Sequence, residues 1–241
     1  MSDTLLQIVL LVPCLVIAIV FHEVAHGWAA LALGDPTAKE RRRLTLNPIR
    51  HVDPIGTLLV PGALALFGGP VFGWAKPVPV NFNRLRNPRL GMMLVAAAGP
   101  ATNFLLAALA AVLIGLTVPA DATLDLAGGV PKVIGADGSL LLFGSGLVLF
   151  ILINTFLALF NLLPIPPFDG SHIVEGLLPP RLAVHYAKLR NVGMLLFVVL
   201  IAATWAFPDS GLIEKVVGPP VEWVQGQFFA LAEWIARAVG A

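Results

Sequence analysis

Long uncharged apolar runs separated by short polar loops set the pattern of this chain. The runs cover 5–33, 55–70, 92–120, 139–163 and 192–207, and only the first contains ionisable side chains. A helix needs about 20 apolar residues to cross the hydrocarbon of a bilayer. The pattern therefore predicts membrane helices over 1–34, 90–120, 139–163 and 191–208. The second run is shorter and is broken by Pro61, Gly62, Gly68, Gly69 and Pro70, so 53–82 is expected to enter the membrane and return. It leads into Trp74-Ala75-Lys76-Pro77-Val78-Pro79-Val80, where Pro alternating with Val calls for extended backbone. Extended backbone at membrane depth requires cover from protein or a water-filled cavity, which implies a pocket. In 219–241, Glu222, Gln225, Gln227, Glu233 and Arg237 interrupt Val221, Trp223, Val224, Phe228, Phe229, Leu231 and Trp234. That mixture fits an interfacial amphipathic helix better than a sixth span. The expected fold is an all-α polytopic membrane protein forming one domain over 1–241. It would have about five membrane-inserted helical segments, a re-entrant hairpin-like loop and a C-terminal amphipathic helix.

Composition agrees. Hydrophobic residues make up 58% of 241 and charged residues 12%, with a mean hydropathy of +0.89, which excludes an ordinary soluble domain. The net charge of +1 offers no basic field for nucleic acid, and nothing in the pattern specifies an oligomer. The charges are nevertheless sorted. Arg41, Arg42, Arg43 and Arg50 follow the first run; Arg84, Arg86 and Arg89 precede the third; Arg181, Lys188 and Arg190 follow the fourth. The 121–138 loop instead carries Asp121, Asp125 and Asp137 against Lys132. The positive-inside rule puts the basic loops in the cytoplasm and the N-terminus and acidic loop outside. Both flanks of the second run then lie inside, as a re-entrant loop requires. Arg41–Arg43 read as a membrane-flank cluster, His51 and His185 as solvent-facing, and Trp74, Trp205 and Trp223 as interface anchors. Met1-Ser2-Asp3-Thr4 has no positive n-region, so the first run is expected to stay as a spanning helix. One cysteine, Cys14, excludes an intramolecular disulfide.

The first run holds the chemistry, in Phe21-His22-Glu23-Val24-Ala25-His26-Gly27. Helical positions four apart share a face, so His22 and His26 can hold one metal ion. Glu23 lies roughly 100° round the helix, where it can reach a water at that metal without ligating it. Two histidines and a glutamate satisfying one another in a bundle is the plain alternative. Ionisable groups inside a membrane run are functional by default, which weakens it. A catalytic zinc usually takes a third protein ligand. Its best source is Asn161-Leu162-Leu163-Pro164-Ile165-Pro166-Pro167-Phe168-Asp169-Gly170, where three prolines end the fourth run and Asp169 can turn back towards the first. Both runs go from outside to inside, so Asp169 falls at the depth of His22 and His26. His172, beyond the turn, is a weaker candidate ligand. Asn154 reads as a helix-to-helix hydrogen-bonding group.

These residues resemble the site-2 proteases, membrane-embedded zinc metalloproteases, in a minimal bacterial form. Phe21–Gly27 matches the family's zinc-helix motif, Asn161–Gly170 its Asn-Pro-Asp-Gly motif, and Gly99-Pro100-Ala101-Thr102-Asn103 its Gly-x-x-x-Asn element. The resemblance implies zinc held by His22, His26 and Asp169, Glu23 as catalytic base, and Asn161 supporting the tetrahedral intermediate or the substrate backbone. It makes 55–80 a loop offering a strand edge to substrate, with Trp74, Val78, Val80 and Asn103 as substrate contacts. Substrates would be transmembrane segments, cut near the cytoplasmic side of a bacterial inner membrane. Many members carry a PDZ or nucleotide-sensing domain and a span before the zinc helix; neither is expected in this sequence. The rival class is a non-catalytic membrane metal-binding protein or a transporter. Glu23, which a structural site would not need, and the lack of internal repeats speak against it.

Overall fold

The computed structural model describes residues 3–60, 74–127, 129–206 and 211–240. The broken centre of the second run, with Pro61, Gly62, Gly68, Gly69 and Pro70, lies outside them. The chain is mostly helical. Helix α1 covers Asp3–Ala32 and the short α2 Thr37–Glu40. Single turns at Pro48–His51, Pro54–Leu59 and Phe82–Arg84 lead to α3, Pro88–Thr117. After a β-hairpin come α4 (Leu142–Asn161), α5 (Asp169–Leu177), α6 (Pro180–Ala187), α7 (Arg190–Ala206) and α8 (Leu212–Val239).

Among the described residues, α1, α3 and α4 are each long and apolar enough to cross a membrane; α6 with the start of α7, bent by 52°, passes the same test as a pair. This is a multi-pass membrane protein, with three unbroken candidate spans among the described residues, or four if the bent pair counts as one. The all-α expectation is corrected. In the acidic loop, β1 (Thr123–Asp125) pairs antiparallel with β2 (Lys132–Ile134), Leu124 opposite Val133. Thr, Leu, Val and Ile favour strands there, and the loop's charge hid them from the sequence pattern. Helix α8 starts seven residues earlier than its predicted 219, carrying Pro219 and Pro220 within it.

Two compact units share these helices. The first comprises Met1–Ala18, Thr102–Leu159 and Gly218–Ala241. There Ala110 and Ala111 of α3, Leu147 and Ile151 of α4, and Ala232 of α8 form a packed cluster. A Cβ on Gly115 would strike the carbonyl of Ala232, so small residues set the approach of α8 to α3. In lipid such packing rests on van der Waals contact rather than on the hydrophobic effect. Helix α8 is thus a packed helix with Trp223 and Trp234 on its exposed side.

The second unit comprises Ile19–Ala101 and Phe160–Val217 and contains His22, Glu23, His26, Val78, Asn161 and Asp169. Ala30 of α1, Leu85, and Val95 of α3 form its core, with Val80 and Met92 against them. The two flanks of the second run meet: Trp74 N–H donates to the Gly56 carbonyl (3.0 Å), and the Thr57 hydroxyl to the Trp74 carbonyl (2.9 Å).

Candidate active site

Helix α1 brings His22 and His26 to one face, with ring centroids 4.6 Å apart and planes at 87°. Asp169, first residue of α5, arrives from the proline-rich turn. Phe168 anchors that turn by stacking edge-on to Phe160 (4.6 Å) and Phe197 (5.4 Å). A Cβ on Gly170 would collide with the main chain of Leu162 and Leu163, so only glycine lets the chain double back there. The result is a tight triangle. The two Nε2 atoms are 3.0 Å apart, and Asp169 Oδ2 stands 3.2 Å from His22 Nε2 and 3.3 Å from His26 Nε2. Among the described residues these are the three side chains grouped so as to hold a metal ion; His172 is not among them and instead lies 3.9 Å from Glu175.

The donor set fits zinc. Ligands tetrahedral about zinc at about 2.0–2.1 Å are about 3.3 Å from one another, close to the triangle's edges. The ring orientation agrees. His26 Nδ1 lies 2.7 Å from the Val95 carbonyl, an acceptor, so this nitrogen carries a proton, and in the neutral ring the lone pair is then on Nε2, which faces inward. Asp169 Oδ2 is buried and accepts no hydrogen bond. Electron-pair donors this close repel one another unless a cation binds them.

Glu23 follows His22 round the helix, and its Oε2 accepts the Val78 N–H at 2.7 Å. Helix α3 closes the other side: a Cβ on Gly99 would lie 2.5 Å from His26 Cε1 and Nε2 and 2.6 Å from His22 Cε1. Glycine alone lets this helix rest against the imidazoles. Val95, the Val78 amide and the contact of Gly99 with the rings escaped sequence reasoning. A glycine inside an apolar helix costs about 1 kcal/mol relative to alanine, and that was the available signal at Gly99.

Other expectations meet mixed outcomes. Asn161 is half-buried as the last residue of α4. Trp74 is exposed, but Val78 is buried and Val80 packs against the core. Asn103 is fully buried, its amide donating to Asn154 Oδ1 (2.8 Å) and the Ala18 carbonyl (3.3 Å), which ties the helices together. Asn154 has the helix-to-helix role expected of it. His185 is exposed as expected. His51 is not: it is 2% exposed, with Nε2 donating to the Thr45 carbonyl. Arg43 separates from its exposed neighbours Arg41 and Arg42, for it is buried and donates to the Lys76 carbonyl.

Comparison with known proteins agrees with this geometry. The profile of "Peptidase family M50" matches residues 10–204. The chain is similar to "Putative zinc metalloprotease YwhC" of Bacillus subtilis, 40% identical over 190 residues, which is 79% of this chain and 78% of that one. It is also similar to "Putative zinc metalloprotease Rip2" of Mycolicibacterium smegmatis, 30% identical over 221 residues, 87% and 77% of the two chains. No solved structure matches. The chain belongs to peptidase family M50, the site-2 proteases, and is an intramembrane zinc metalloprotease.

Proposed function

We propose that His22, His26 and Asp169 hold the zinc ion, that Glu23 is the general base, and that the substrate is a transmembrane segment unwound near its cytoplasmic end. The observation that carries this reading is the convergence of two Nε2 atoms and one carboxylate oxygen within 3.3 Å, beside a carboxylate on the next helical position. Zinc bound there would polarise the scissile carbonyl and make water nucleophilic at neutral pH. Glu23 takes the proton of the attacking water and returns it to the leaving amine. His26 is held in the ligating tautomer by Val95, and Gly99 presses the two rings into place. Asn161, at the end of α4, would steady the substrate carbonyl or its backbone.

The basic loops support a cell-membrane protein, the bacterial inner membrane, with those loops in the cytoplasm. The hydrogen bonds joining Gly56 and Thr57 to Trp74 support a loop over 53–82 that enters and leaves on one side. In the full arrangement 191–208 crosses as a further span. The test is cleavage of membrane-spanning peptides by purified protein, together with metal analysis. Cleavage abolished by a chelator and restored by zinc is expected, and cleavage insensitive to metal removal overturns the reading. For orientation, Cys14 is replaced by Ala and single cysteines are placed at Arg42, Arg86 and Asp125. Only the last should react with an impermeant thiol reagent in intact cells, and labelling at Arg42 or Arg86 reverses the assignment.

A further inference from the structure

A line of polar contacts runs along the extended segment 76–81 and is not explained by metal binding. At one end Lys76 N–H donates to the His51 carbonyl (2.9 Å) and the Lys76 carbonyl accepts from Arg43 Nη2 (2.7 Å). In the middle Val78 N–H meets Glu23 Oε2. At the other end Asn81 N–H donates to Asp35 Oδ2 (2.5 Å), while Asp35 Oδ1 accepts from the Thr37 amide and hydroxyl (3.0 and 2.5 Å). Arg43 is 8% exposed and Asp35 fully buried. Burial alone would push the Asp35 carboxyl up, but the hydrogen bonds from Thr37 and Asn81, with Arg84 nearby, hold it below the usual carboxylate range. It is therefore a charged acceptor, the stronger kind.

The sequence between the two clamps matters. Pro77 and Pro79 have no N–H, and Pro79 disfavours a helical Val78. The Val78 amide is thus the one donor between Lys76 and Val80, on backbone already extended. A glutamate has three rotatable side-chain bonds, and anchoring Oε2 to the main chain removes the freedom of the carboxylate to swing. Oε1 is then left to meet the reacting water.

We infer that the main-chain amide of Val78 is a positioning group for Glu23, kept in register by Arg43 and Asp35. The inference rests on Glu23 being the base. It also limits the strand-edge idea, since a substrate pairing with the Val78 amide would compete with the base.

The experiment uses full-length protein in detergent and a membrane-spanning peptide that it cleaves, with kcat, KM and zinc content measured. Val78→Pro deletes the amide, whereas Val78→Ala shortens the same side chain and keeps it. Val78→Pro is expected to lower kcat about 10- to 100-fold relative to Val78→Ala, with KM within about twofold and zinc retained. Equal kcat in the two variants overturns the inference, and so does a rise in KM at unchanged kcat, which would give the amide to substrate. If Val78→Pro loses zinc, Asp35 decides: Asp35→Ala should lower kcat with zinc and KM held, and Asp35→Asn, which keeps an acceptor, should recover most of it. Wild-type kcat in Asp35→Ala overturns the inference. A Glu23→Gln control separates the two layers. Full activity in that variant overturns the base assignment itself, while an inactive Glu23→Gln beside an unaffected Val78→Pro removes only the positioning role.

Discussion

Two polar clusters are buried in apolar helices of this protein, and they are built on opposite principles. Asn103 and Asn154 complete one another: Asn103 donates to Asn154 Oδ1 and to Ala18, and Asn154 Nδ2 donates to the Phe150 carbonyl at 2.9 Å. His22, His26 and Asp169 are arranged differently: two Nε2 atoms and a carboxylate oxygen converge within 3.3 Å, and Val95 holds a proton on the outward Nδ1 of His26, so that Nε2 faces Asp169 Oδ2. Burial is close in both, with the asparagines at 0% exposure and the histidines at 7% and 9%, though the Asp169 side chain is 20% exposed. Burial therefore does not separate a structural tie from a ligand set; hydrogen-bond complementarity does. In hydrocarbon an unmatched polar group costs several kcal/mol, and three donor atoms grouped so as to hold a metal ion are matched by the divalent cation proposed for them.

The contrast is broken most severely at its reactive end. Glu23→Gln should lower kcat by about 10²- to 10⁴-fold with zinc retained, because the amide keeps the shape and the Val78 contact but accepts no proton; near-normal cleavage would remove Glu23 as base. Asp169→Ala should lose both zinc and cleavage, since two imidazoles are too few for a stable catalytic site, while His172→Ala keeps most of each. Zinc lost from the His172 variant and kept in the Asp169 variant would reverse the ligand assignment.

Gly99→Ala sharpens the comparison with one methyl group. Its Cβ would fall 2.5 Å from the His26 ring, closer than real contacts allow, and the ring is tethered to Val95, so it cannot move without losing its tautomer-fixing bond. Zinc affinity or activity should fall about 10- to 100-fold with little change in thermal stability. Metal affinity and turnover equal to wild type would show that α3 yields instead.

What could be read from the sequence follows the same division. His22, Glu23 and His26 were legible because helical spacing converts sequence into geometry, and Asp169 because prolines and a glycine force a turn. Helices α3 and α4 start and end within three residues of their predicted bounds because hydrocarbon thickness sets their length. The environment of Glu23 was not legible, since Val78 contributes a main-chain amide that any residue except proline possesses. His51 was misread for a related reason: a polar residue in a basic loop suggests solvent, but its ring donates to the main-chain carbonyl of Thr45; Arg43, read as part of a membrane-flank cluster, likewise reaches a carbonyl, that of Lys76. The bond of Asn103 to Asn154, 51 residues away, was not legible in the motif that singled Asn103 out.

The smallest expected effect tests the self-satisfied cluster. Asn103→Leu leaves Asn154 Oδ1 without its donor, and Asn154→Leu leaves the Asn103 amide with the longer bond to Ala18, so each single change should destabilise the protein. The double variant buries two apolar side chains with no orphaned group and should be less unstable than the sum. Polar pairs between membrane helices couple by about 0.6 kcal/mol on average and about 1.7 at most, so a double-mutant cycle on reversible unfolding should return a coupling in that range. Zinc content should stay at the wild-type level in all three variants, because no ligand loses its partner. Strict additivity, or zinc lost in step with stability, would mean that the asparagines belong to the metal site after all, and the distinction between the two clusters would fail.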